Sequence, residues 1–254
     1  MSTPDIESFD EWYRSIEAST RWDPFMQKAL GLPPDLRSTG YLTGVGLAEV
    51  VERLQLAPGE ALVELGCGRG GYGMAVVRTT GARLVGVDFS EVALAAAREQ
   101  AARLQPGDRV SFTAGDLTAT GLPASSADAV LCLDAVQFAR PVAAAVTECR
   151  RLLRRAGRLV LTTWKPVVPG DPLLPERLRD LDVAADVEAA GFADVREDVR
   201  PDWSTVEREV WEVASELPVD GDPAVADLVD EARELLPLAD RLTRVLVTAR
   251  SPDR

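Results

Sequence analysis

Ala61-Leu62-Val63-Glu64-Leu65-Gly66-Cys67-Gly68-Arg69-Gly70-Gly71 is the stretch that decides the fold. An apolar run, broken by one acid and closed by glycines at alternate positions, reads as a buried parallel strand ending in a tight turn that opens a helix. Glycine is needed there because a side chain at Gly66 or Gly68 would hold a ligand off the backbone, and because such turns take positive φ. From Glu60 to Trp164 apolar strand patterns alternate with helical ones, as a parallel sheet covered on both faces requires. Strands are expected at 60–65, 83–88, 109–113 and 129–133, with helices at 71–79 and 91–103. A longer helix is expected from Pro141 through Arg155, carrying Glu148, Arg150, Arg151, Arg154 and Arg155 as a solvated face. Earlier in the chain, helices are expected at 8–18, 24–30 and 44–56, and the aromatics Trp12, Tyr13, Trp22, Phe25 and Tyr41 cluster there. Beyond Trp164 the pattern gives a helix at 183–190, strands at 195–200 and 244–249, and two amphipathic helices between Pro201 and Asp240.

At 254 residues the chain suits one α/β unit with elaborations. Its parts are an N-terminal helical cap at 1–58, a core at 59–200, an acidic helical insertion or lid at 201–241, and the last strand and tail at 242–254. The formal net charge of −13 argues against a nucleic-acid partner, since phosphate contacts need clustered Lys and Arg. No run approaches the roughly 18 apolar residues of a membrane span, and the polar start Met1 to Asp10 lacks the pattern of a signal peptide. A cytoplasmic protein with a small-molecule substrate and no membrane partner is expected; a homodimer is compatible with the sequence. Cys67, Cys132 and Cys149 read as small buried residues, and no metal site has the necessary spacing. The chain has no histidine. Any general base must therefore be a carboxylate, Tyr, Lys or water.

Two cofactors compete for the glycine turn. Gly66, Gly68 and Gly71 fit the dinucleotide fingerprint, with Asp88 at the end of the next strand for a ribose. Glu64 breaks the tie, because its carboxylate would attract the positive amino-acid end of S-adenosylmethionine and repel a pyrophosphate. Glu64 to Gly70, with Cys67 inside it, resembles the E/D-x-G-x-G-x-G motif of class I S-adenosylmethionine-dependent methyltransferases of the small-molecule type. Arg151 to Leu161 is similar to a helix–turn–strand segment common to that family, and the resemblance runs in register over about 60–164.

The resemblance implies a seven-stranded, mostly parallel sheet with strand seven antiparallel. It also implies that S-adenosylmethionine is held by Glu64, Gly66, Cys67, Gly68, Gly70, Asp88, Phe89, Asp116, Leu117 and Leu133. Asp88 would take the ribose hydroxyls and Asp116 the adenine amino group. Ser38 to Tyr41 resembles the small-residue stretch beside the methionine part, which adds Thr39 and Gly40. Where related enzymes carry histidines after strand four, this chain has Gln137 and Phe138, leaving Asp134 and Gln137 as candidate catalytic residues. Methyl transfer to an O, N or C nucleophile is the implied activity, in a style similar to bacterial specialised metabolism. A cyclase that keeps the cofactor, and a nicotinamide oxidoreductase, remain alternatives. The stretch from Pro201 to Asp240 holds twelve acids against two arginines; a solvated outer face is the simpler expectation, and acids facing the pocket, favouring a cationic or amine substrate, the sharper one.

Overall fold

The computed structural model describes residues 6–105 and 107–252. The start of the polar N-terminus, residues 1–5, and the last two residues of the tail lie outside the described residues. Three helices come first: α1 (Ile6–Ala18), α2 (Trp22–Leu30) and α3 (Gly44–Leu54). The alternating core follows as β1 (Ala61–Leu65), α4 (Gly71–Thr80), β2 (Arg83–Asp88), α5 (Glu91–Leu104), β3 (Val110–Ala114), β4 (Ala127–Leu133), α6 (Val142–Leu152) and β5 (Leu153–Pro166). The chain continues through α7 (Glu176–Arg179), α8 (Val183–Ala189), β6 (Ala193–Val199), α9 (Pro201–Ser215), α10 (Pro223–Leu235) and β7 (Leu242–Arg250).

Within these residues the strands form one seven-stranded sheet in the order β3-β2-β1-β4-β5-β7-β6. The neighbours from β3 to β5 run parallel, and β7 is antiparallel to both β5 and β6. Near-continuous apolar strands such as β1 and β4 occupy the centre because helices bury both faces. The order reverses between β1 and β4, so the crevice beyond their carboxyl ends is where an open α/β sheet receives a ligand. The turn after β1 meets the turn after β4 there: Gly66 has φ +66°, and a Cβ on it would overlap the Cβ of Ala135.

Two expectations about the elements require correction. The helix from Pro141 ends at Leu152 rather than Arg155, because Leu153 is extended, buried and paired with Ala127, so sheet pairing overrides helical propensity. Glu148, expected on a solvated face, is buried: it accepts from Thr120 N at 2.9 Å and from Arg151, which hold its carboxyl down at about 2 against the opposing effect of burial.

The N-terminal helices are fastened to the glycine turn by Arg69, whose guanidinium is buried and pairs with Glu17 at 3.0 Å and with Asp23. Arg37 binds the same two acids. Ser90 Oγ, at the start of α5, donates to Asp10 of α1 at 2.5 Å. Among the described residues no helix is long and apolar enough to cross a membrane.

Candidate active site

A cavity of about 770 Å³ opens at the β1/β4 switch point. One wall comes from the core: Gly66 of the turn, Asp88 and Phe89 after β2, Gly115 and Leu117 after β3, and Leu133 at the end of β4. Thr39 and Gly40 face them from the stretch before α3. The roof is α1, through Phe9, Trp12 and Tyr13. Phe9 meets Phe89 edge-on at 5.2 Å and Phe138 at 5.4 Å, packing the roof onto both floor aromatics. The far wall carries Trp164, Arg177 and the acids Asp227, Asp230, Glu231 and Glu234 of α10.

Asp88 is positioned by the backbone it serves. Its Oδ2 accepts from Gly68 N at 2.8 Å and its Oδ1 from Ser90 N at 3.0 Å, so the carboxylate is oriented while each oxygen keeps acceptor capacity. Burial pushes its pKa up, and those backbone donors pull it back. Gly68 has φ +50° and Gly70 φ +73°; their contribution is the shape of the turn, since neither residue belongs to the cavity wall.

Four other sequence candidates stand away from the wall. Glu64 is 2% exposed and lies beneath the turn, where its carboxyl takes the N–H of Gly73 and its Oε2 has no partner. Burial pushes its pKa up to about 8, so it is largely uncharged at neutral pH. Glu64 thus stands off the cavity wall, packed against Gly73 in the first turn of α4. Cys67 is buried beside Gly86 and supplies backbone only. Asp116 is exposed and its Oδ1 closes its own turn, accepting from Thr118 N at 2.7 Å and Thr118 Oγ1 at 2.5 Å, while Gly115 and Leu117 on either side reach the cavity. Gln137 is fully buried, donating to Asp134 O at 2.6 Å and accepting from Thr163 Oγ1 at 3.1 Å, so it braces the turn after β4 and lies off the cavity wall.

Asp134 does reach the wall, yet its oxygens are taken. It pairs with Arg244, accepts from Thr162 Oγ1 at 2.7 Å, and accepts from Tyr41 N at 3.1 Å. Arg244, 1% exposed, also pairs with Glu207 at 3.1 Å and lies 5.1 Å from the Trp164 ring centre. Trp164 Nε1 donates to Glu207 at 2.8 Å. Glu207 is thus the insertion acid that leaves solvent for the core, and burial holds its pKa up at about 7 despite Arg244. Asp134 acts as a latch between the turn after β4 and the Thr39–Tyr41 stretch.

The sequence reading did not single out Phe9, Trp164, Arg177 or Glu231 for the site. Phe9 sits in the aromatic-rich N-terminal segment, which was the available signal. Arg177 and Glu231 lie in stretches with no motif.

Glu64 carries a testable consequence. The folded chain keeps this proton up to about pH 8, whereas the unfolded chain releases it near 4.5. Folding therefore binds a proton between those values, and stability falls as pH rises through that window. Glu64→Gln, neutral throughout, is expected to flatten that fall in thermal denaturation between about pH 4.5 and about pH 8. Parallel curves for the two proteins would contradict the assignment.

The donor set suits S-adenosylmethionine. An oriented carboxylate after β2 can accept the ribose hydroxyls, Phe89 and Leu117 can enclose the adenine, and the bare backbone at Gly66 with Thr39 and Gly40 opposite leaves room for the amino-acid arm. Comparison with known proteins gives the same answer. A family profile described as "Methyltransferase domain" matches residues 63–161. A Mycolicibacterium smegmatis protein named "Probable S-adenosylmethionine-dependent methyltransferase" is 32% identical over 179 residues, covering 63% of this chain and 67% of that one. A sterol 24-C-methyltransferase of Eremothecium gossypii is 27% identical over 139 residues, and the match spans only 36% of its length. Among solved structures, the [4+2]-cyclase SpnF superposes with a TM-score of 0.76 at 22% identity over 98% of this chain and 97% of its own, which is a likeness of fold. The chain belongs to the class I S-adenosylmethionine-dependent methyltransferases.

Proposed function

We propose that this chain transfers a methyl group from S-adenosylmethionine to an O, N or C nucleophile of a small molecule held between α1 and α10. One observation carries the reading: the wall bearing Asp88, Phe89 and Gly66 continues without interruption into the aromatic and acidic wall of Phe138, Trp164 and α10, inside a single cavity. When bound, the cofactor supplies an electrophilic methyl on a sulfonium. The chain's own part is to orient and to dry. Asp88 fixes the ribose, Phe89 and Leu117 the adenine, and Leu133 with Gly66 the path toward the acceptor. Positioning of this kind supplies on the order of 7–11 kcal/mol, so histidine is not indispensable. Within this reading, 1–58 and 201–241 form the lid over the 59–200 core. The chain acts in the cytoplasm on a product of bacterial specialised metabolism.

A second reading, a cyclase that retains the cofactor, is favoured by one observation: Asp134 and Gln137 are committed to structural bonds and the chain has no histidine. Incubation with methyl-labelled S-adenosylmethionine and a panel of small acceptors separates the two. Label appearing in an acceptor is expected. Tight cofactor binding with no label transferred to any acceptor, and ring closure in a polyene, would favour the cyclase.

A further inference from the structure

We infer that the acceptor is a nitrogen base and that Glu231, hydrogen-bonded by Tyr41, is the carboxylate that binds its N–H and takes its proton. The inference rests on the methyl-transfer reading of the same cavity. Glu231 projects from α10 into the cavity wall, partly buried. Its Oε2 accepts from Tyr41 Oη at 3.0 Å, and its Oε1 has no hydrogen-bond partner among the described residues. Tyr41 directly follows Thr39 and Gly40, its N–H is tied to Asp134, and its ring meets Trp211 edge-on at 5.9 Å. The pair is therefore anchored to the stretch that borders the methionine end of the site.

Elimination points the same way. Of the acids on or beside this wall, Asp134 is occupied by Arg244, Thr162 and Tyr41, and Glu207 by Arg244 and Trp164. Asp227 accepts from Ser15 at 3.3 Å at the exposed mouth, where Glu11, Asp230 and Glu234 also stand. Burial pushes the Glu231 carboxyl up, Glu234 and Asp227 add to that, and the Tyr41 hydroxyl and Arg177 oppose it. A raised carboxyl holds an accepted proton better than an exposed one. Arg177, over the Phe138 ring at 5.5 Å, makes no ion pair within 4.0 Å among the described residues and is the guanidinium on this wall. Carboxylates outnumber it, so the field at this end draws a cation and repels an anionic acceptor. On binding an ammonium group, one N–H bond breaks and one O–H bond forms at Glu231 Oε1. The carboxylate becomes a neutral acid, and the nitrogen lone pair is freed.

Calorimetry on the full chain saturated with S-adenosylhomocysteine tests this with matched probes suited to an aromatic wall: phenethylamine against 2-phenylethanol, and benzylamine against benzyl alcohol. At least one amine is expected to bind about tenfold more tightly than its alcohol, and Glu231→Gln to remove that preference. Glu231→Asp, which withdraws the carboxylate by one methylene, is expected to keep part of it. S-adenosylhomocysteine affinity should stay within about twofold in both variants, which also reports that they fold. Amines that never outbind their alcohols, or a preference that survives Glu231→Gln, overturn the inference. Failure of S-adenosylhomocysteine to bind the unaltered chain is a different result and overturns the methyl-transfer reading instead.

Discussion

Asp88→Ala is expected to weaken S-adenosylhomocysteine binding by roughly a hundredfold or more, measured by calorimetry, since hydrogen bonds to a charged group contribute about 1.5–3 kcal/mol each and two ribose hydroxyls would lose theirs. The same change strips the acceptor from Gly68 N and Ser90 N, so the glycine turn loses its brace against β2. A moderate loss of stability should accompany the loss of affinity, because two buried N–H groups are left without partners. Asp88→Asn, which keeps one acceptor oxygen, should fall between the two in affinity. An affinity unchanged by Asp88→Ala would remove this carboxylate from the cofactor site.

Arg244→Met is expected to lower thermal stability by about 3–5 kcal/mol, a shift on the order of 10 °C for a chain of this size. The guanidinium is buried between Asp134 and Glu207, and its removal strands two buried carboxyls. A consequence for the site follows from Asp134, which also holds the N–H of Tyr41. With Arg244 gone, Asp134 keeps its bonds from Thr162 Oγ1 and Tyr41 N but loses its ion pair, so the tie between the Thr39–Tyr41 stretch and the turn after β4 is weakened. Replacing all three polar partners by apolar residues should recover much of the stability, since a buried ion pair is weakly stabilising relative to well-packed apolar groups. Thermal denaturation of Arg244→Met within a degree or two of the unaltered protein would contradict the latch.

The order of strands and helices was legible because it is written locally. The apolar run into Gly66, the acid closing β2 and the glycines after β3 each mark the end of a parallel strand within a few residues. Asp88 and Phe89 follow from the same logic, since the carboxyl ends of the central strands face the switch-point crevice. Glu64 shows the limit of that logic: one position along a strand decides which face a side chain takes, and this one faces α4. The latch was invisible because Arg244 and Asp134 are 110 positions apart, and no pattern in either neighbourhood announces the other. The insertion posed a different difficulty. Its helical periodicity gave the two amphipathic helices, but the eight acids on those helices look alike until packing sends Glu207 to Arg244 and Glu231 to Tyr41.

A structure of the chain with S-adenosylhomocysteine tests the central claim most directly. The ribose is expected on Asp88, the adenine between Phe89 and Leu117, and the sulfur end directed toward Thr39–Tyr41 with open space before Glu231. The nucleoside lodged elsewhere, or its ribose turned away from Asp88, would contradict the account.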